Sequence, residues 1–260
     1  LFSEGQSVLR ALEDLKNQIK EVASQIFKVH KDLIEIKDGK ACVEGEPWHC
    51  VTFAEIALGY MFPDGTTIGG PLIGRGSYVP AANTLLDPET GKGKPAPFYT
   101  FGAGAVEIEV NVLTGEIKIL KAVAVLDTPV INPALAEGQV YGGIVMGSNI
   151  ALREELKFSP DGRLLNPNFT DYKVARAGDT PLEMKAIFLG VGQSDAPYGA
   201  KGIGELTMIP WPAAIANALA NAIGVEVKAL PMSPENVIKA IKEQRPELLE
   251  KAKEFLKVKE

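Results

Sequence analysis

Between Val106 and Leu126 the chain alternates apolar and polar residues with a period of two, and this most constrains its fold. Val106, Ile108, Val110 and Val112 are interleaved with Glu107, Glu109 and Asn111, and Thr114-Gly115 leads into Ile117, Ile119 and a run ending at Leu126. Side chains two apart share a face of a strand, so the segment predicts an antiparallel hairpin with one apolar face. A lone two-stranded ribbon is marginal in water and needs another layer against that face.

The rest of the sequence supplies helices for that layer. Val8, Leu12, Leu15, Ile19, Val22 and Ile26 recur at steps of three and four, which predicts an amphipathic helix from Gln6 to Phe27. Asn132-Pro133 has the form of a helix start, Pro212 to Ile223 reads as a small-residue apolar helix ended by Gly224, and Ser233-Pro234-Glu235 opens a helix through Ile241. Further strand signals are a hairpin around Asp38-Gly39 within Asp32 to Val43 and a buried strand from Ala186 to Val191. Thr52 and Glu55 have capping-box spacing for a short helix through Leu58, Thr66 to Pro97 reads as a long loop, and Asp161-Gly162 marks a turn. Strands and helices cluster rather than alternate, so the fold class is α+β, with one domain over residues 1–244 and room in it for two subdomains. Residues 245–260 form a charged terminal helix with Leu248, Leu249, Ala252 and Leu256 on one side.

Composition narrows the partners. In 260 residues, 46% hydrophobic and 23% charged content describes an ordinary globular protein rather than a disordered one. A net charge of -6 gives no general attraction to nucleic acid or to anionic membrane surfaces. No apolar stretch is long enough to span a bilayer and no secretory leader opens the sequence, so a cytoplasmic placement is expected. Cys42 and Cys50 fit neither a zinc site nor an iron-sulfur cluster, and beside His49 the thiol of Cys50 reads as plain packing. The start at Leu1, without methionine, reads as that of a fragment or processed product.

Two constellations could carry chemistry. In GAKGIGE, Gly199 to Glu205, three glycines within six residues precede an acid. Such a loop can approach a ligand closely and present Glu205 as a general base, or Glu205 can simply favour a following helix start. In the second, Gly138, Gly142, Gly143 and Gly147 lie inside a helical pattern with Gln139 among them. Interior glycines cost a helix about 0.5 to 1 kcal/mol each relative to alanine, which implies a close neighbour: another helix, or a flat ligand met by the Gln139 amide. Gly102-Ala-Gly104 is not a dinucleotide-binding turn, because a strand follows it and no third glycine arrives. Arg75, in the long loop, is a candidate for an anionic ligand or a solvated residue.

Taken in order, YTFGAGAVEIEVNVLTGEI (Tyr99–Ile117), GQVYGGIVMGS (Gly138–Ser148), REEL (Arg153–Leu156), TDYK (Thr170–Lys173), GAKGIGE and SPENV (Ser233–Val237) resemble the last part of the molybdenum-binding subunit of the xanthine dehydrogenase and aldehyde oxidase family of molybdenum hydroxylases. The resemblance covers most of residues 5–242. It implies the carboxy-terminal half of a molybdopterin-binding domain, oxidising an aldehyde, purine or other N-heterocycle with water as the oxygen source; a noncatalytic assembly or cofactor-holding module of the same fold is the alternative. It implies Glu205 as catalytic base, and Gln139, Gly138, Gly142, Gly143, Gly202 and Gly204 about the cofactor, with Gly5-Gln6-Ser7 at a helix start near the pterin; Arg75, from its place in the long loop, is a substrate-loop candidate. Molybdenum would be held through the pterin dithiolene and by no protein ligand. The partners implied are the amino-terminal half of the same subunit, which shares the molybdopterin-molybdenum cofactor, and chains carrying [2Fe-2S] and FAD. Leu206-Thr207 departs from the pair of prolines that many members carry after the glutamate.

Overall fold

A computed structural model describes residues 2–80 and 83–257. They form two compact units: residues 1–97 with 195–198, and residues 98–194 with 199–260.

The first unit is built on helix α1 (Phe2–Phe27), which begins before the predicted Gln6 and buries Ile19, Val22 and Ala23. Strands β1 (Ile34–Lys37), β2 (Lys40–Val43) and β3 (Glu46–Thr52) make an antiparallel sheet in that order, and its Ile34, Ala41, Val43 and Val51 complete a small core with α1. The β1–β2 turn is Asp38-Gly39 as expected, with φ of 49° and 74°, the left-handed pair that a two-residue hairpin turn demands. Strand β3 is new relative to the sequence reading, and it brings Cys50 opposite Cys42, where the two form a disulfide. The reading of Cys50 as plain packing is corrected accordingly. Helix α2 (Phe53–Ile56) carries the predicted capping box: Glu55 N donates to Thr52 Oγ1, and Glu55 accepts from Thr52 N at 2.7 Å. The Thr52 hydroxyl, donating to Glu55 Oε2 at 2.6 Å, and then the Thr52 backbone N–H hold the Glu55 carboxyl below the usual range. A two-residue strand pair, β4 (Tyr60–Met61) with β5 (Thr67–Ile68), interrupts the start of the long loop.

The second unit holds the predicted hairpin as β6 (Gly102–Val110) and β7 (Ile117–Leu126). Strand β8 (Glu183–Phe188) joins β7 in parallel; it begins three residues before the predicted strand and leaves Leu189 to Val191 exposed. Pairings Ile108↔Ile119 and Glu107↔Lys121 leave Leu120 as an extra residue on β7. The bulge flips the alternation, so the buried residues are Ile117 and Ile119 before it and Ala122, Ala124 and Leu126 after it. Against this face pack α3 (Pro133–Leu152), α4 (Trp211–Ile223) and α5 (Pro234–Gln244), contributing Val140, Ile144, Trp211, Ile215, Leu219, Val237 and Ile241. Burying so much aliphatic and aromatic surface, at about 25 cal/mol per Å², is what holds the layers together. Asn132 caps α3 by accepting from Leu135 N at 3.1 Å, and Gly224, at φ 68°, ends α4 as the sequence predicts. Helix α6 (Pro246–Lys257) follows, with Leu248 and Leu249 against the core; residues 258–260 of the predicted terminal helix lie outside the described residues. Among the described residues no helix is long and apolar enough to cross a membrane.

Candidate functional site

The second unit brings together the two constellations that the sequence singles out. Gln139 is in the second turn of α3, and its Nε2 donates to the backbone carbonyl of Gly204 at 2.8 Å. Because the acceptor is a carbonyl, the amide nitrogen must face it, which leaves the amide oxygen and the second N–H directed elsewhere. Thr207 Oγ1 donates to the same carbonyl at 2.9 Å. Glu205 follows directly, is exposed, and starts a turn closed by Met208 N donating to its carbonyl at 3.0 Å. Helix α4 begins only at Trp211, where Pro210 is the cap residue. Five residues, Leu206 to Pro210, separate it from Glu205, so the helix-start explanation of the acid does not hold.

The glycines divide into two kinds. Gly143 is buried, and a Cβ there would lie 2.1 Å from Thr207 Oγ1; at Gly147 it would lie 2.4 Å from the carbonyl oxygen of Met208. The close neighbour at these two positions is therefore the protein's own 207–211 segment, which is a correction for Gly143 as a cofactor-facing residue. Thr207 fills that contact and ties the turn further through Trp211 Nε1, which donates to its carbonyl at 2.5 Å. Gly138, Gly142, Gly202 and Gly204 are different. All four are exposed, none has a positive φ, and a Cβ on any of them would meet nothing within 4 Å. Within the loop, only Gly199 (φ 72°) uses the conformational freedom expected of its glycines. Exposed glycines thus lie on both segments that the Gln139–Gly204 bond joins, points at which backbone is open to close approach.

Sequence reasoning missed Lys201. Its side chain is 5% exposed, and Nζ donates to Asp127 Oδ2 and to the Asp127 carbonyl, each at 3.0 Å. Its position among glycines reads as solvated, although a lysine that is buried is almost always paired. The REEL and TDYK segments serve as a brace. Glu154 accepts from Asn149 Nδ2 and from the Tyr172 hydroxyl, and Arg153 pairs with Asp179 at 2.8 Å. The Glu154 carboxylate holds the Tyr172 proton above the usual phenol range. A cavity of about 860 Å³ beside this brace is lined by Arg153, Lys173, Arg176 and Glu235, but by neither Glu205 nor Gln139.

Gly5, Gln6 and Ser7 belong to the first unit. They lie inside α1 rather than at its start, a correction to the sequence reading. Gln6 donates to the Asp195 carbonyl, Ser7 Oγ donates to the Ser3 carbonyl at 3.0 Å, and a Cβ on Gly5 would come within 2.8 Å of Pro197. Arg75 is exposed on a strap lying along α1, where its backbone N–H donates to Asp14 at 2.8 Å.

The fold is that of a cofactor-binding domain, and comparison with known proteins names it. Residues 1–181 match the model of the molybdopterin cofactor-binding domain. The chain belongs to that family, within the molybdenum hydroxylases. It is 32% identical over 193 residues to the probable hypoxanthine oxidase XdhD of Escherichia coli, covering 74% of this chain and 18% of that protein. It is 29% identical over 243 residues to the large subunit of nicotine 6-hydroxylase from Paenarthrobacter nicotinovorans, covering 92% of this chain and 28% of that protein. The structure of quinoline 2-oxidoreductase from Pseudomonas putida 86 superposes with a TM-score of 0.68 at 26% identity, over 88% of this chain and 28% of that one. The chain thus spans less than a third of the length of these relatives.

Proposed function

We propose that this chain supplies the base-bearing part of the active site of a molybdenum hydroxylase that oxidises an N-heterocycle or aldehyde, with Glu205 as the catalytic base. The observation that carries this is the Gln139–Gly204 hydrogen bond, which joins the glycine-bearing segment of α3 to the 199–205 loop at the residue before the exposed Glu205. Those glycines and the amide of Gln139 fit a flat, polar-edged molybdopterin. Held there, such a group would supply a two-electron sink and a water-derived oxygen for the substrate carbon. Glu205 receives the proton that the oxygen loses as it becomes a nucleophile, the role of a positioned general base. Gln139 holds the loop through one N–H and turns its oxygen and other N–H to the ligand, while Gly138, Gly142, Gly202 and Gly204 keep side chains out of the way. The relatives whose names specify hypoxanthine, nicotine and quinoline support a nitrogen heterocycle as substrate. The remaining part of the subunit would close the cofactor site, and chains carrying [2Fe-2S] and FAD would remove the electrons.

Glu205→Gln in the assembled, cofactor-loaded enzyme tests this. The variant keeps the size of the side chain but accepts no proton, so the rate of enzyme reduction by substrate should fall by about 100- to 10,000-fold. The melting temperature should stay within about 1 °C, since exposed substitutions shift stability little. A near-normal rate would sink the assignment.

A further inference from the structure

Between Gly199 and Glu205 the backbone has no regular structure, and its two central glycines offer no side chain by which packing could place it. Its position depends on what grips it. Near the carboxyl end the grip is the Gly204 carbonyl, which receives Gln139 and Thr207. Near the amino end Gln193 N donates to the Gly199 carbonyl at 3.0 Å, and the side-chain grip is Lys201. Among the described residues Lys201 is the one buried charged residue, and its ammonium donates to both the carboxylate and the carbonyl of Asp127. Asp127 directly follows β7, the central strand of its sheet, and is itself fixed: Oδ1 accepts from Phe101 N at 2.7 Å, and Asp127 N donates to the Phe101 carbonyl at 3.0 Å.

Burying an ammonium costs more than burying an apolar chain of similar length, and a buried ion pair rarely adds net stability over an apolar pair. What the pair does provide is direction, because the charged nitrogen is satisfied only with its oxygens about 3 Å away. We infer that Lys201 and Asp127 are positioning residues that pin the loop to the end of β7 and so hold the Glu205 carboxylate at its working place; the inference rests on the catalytic reading of Glu205. Lys201 itself touches no reacting atom.

The test is a four-form cycle in the assembled enzyme: the natural protein, Lys201→Met, Asp127→Asn and the double variant. Each single change strands a buried polar or charged partner and should lower the melting temperature by roughly 5 to 10 °C. The double variant is neutral at both positions and should regain most of that loss. Its limiting rate of reduction by substrate should nevertheless stay roughly 10- to 100-fold low, the scale of a small misplacement of a reacting group, with an unchanged substrate concentration for half-saturation. Cleavage by a glutamyl endoprotease after Glu205 reports the loop without reference to turnover, and should run at least about tenfold faster in the double variant than in the natural protein. If rate and cleavage both return to natural values along with the melting temperature, the pair is only structural and the inference is overturned. Should the single variants fail to fold, or any variant lose molybdenum, the cleavage comparison on the double variant still decides. Glu205→Gln run alongside separates the two ideas: a normal rate there removes the catalytic reading, whereas a low rate there with natural cleavage in the double variant removes only the pin.

Discussion

A single methyl group distinguishes the two kinds of glycine on α3. At Gly143 it would meet both the side chain and the backbone of Thr207, so Gly143→Ala should cost about 1 to 3 kcal/mol, the range for overpacking. At Gly142 it would meet nothing, and Gly142→Ala should gain up to about 1 kcal/mol of helix propensity. Thermal melts of the two variants should therefore move in opposite directions. If Gly142 faces the cofactor, the same stabilised variant should carry less molybdenum when isolated from the assembled enzyme. Full occupancy with a raised melting point would leave Gly142 an ordinary surface position. The sequence could not sort these glycines, because a helix repeat says which residues share a face but not which face is covered. Glu205 and Gln139 were legible as a pair only through resemblance. Lys201 was invisible because a lysine among glycines reads as solvated until its partner, 74 positions away, is seen.

At the scale of elements, the local signals read true where one residue type dictates one geometry: Asp38-Gly39 in the hairpin, Thr52 with Glu55 on α2, Asn132 and Ser233 as caps, Gly224 as a stop. Glu55 also gives a pH signature. Its folded pKa is lowered, so the cap's contribution is complete above the ordinary glutamate range and is lost as pH falls through the depressed value; an NMR titration placing Glu55 at or above an ordinary glutamate would contradict this. Strand β3 escaped detection because Pro47, Trp48 and His49 are all exposed and leave no alternation to read. The bulge at Leu120 escaped for the opposite reason, since an apolar run hides a change of parity. Deleting Leu120 should turn either Ile117 and Ile119 or Ala122, Ala124 and Leu126 away from the core. We expect that protein to fail to reach a cooperative fold by thermal melt, while Leu120→Ala remains folded.

For the molecule as a whole, the exposed site is the informative property. Leu135 is 73% and Met146 56% exposed on the helix that carries Gln139, and the chain spans 28% or less of the relatives reported. If other parts of the subunit close the site, the 260-residue chain alone should retain no stoichiometric molybdenum or pterin, and should self-associate through its uncovered apolar surface. Elemental analysis and sedimentation check both halves of that expectation. The Cys42–Cys50 link adds something different, because it lies wholly within one of the two units. Closing so short a loop removes at most about 2 to 3 kcal/mol of chain freedom from the unfolded state, less where a hairpin already confines it. A reducing agent thereby becomes a selective label in calorimetry: one heat-absorption peak should slide down by roughly 5 to 15 °C while the other stays in place, identifying which melting event belongs to which stretch of chain without a single mutation.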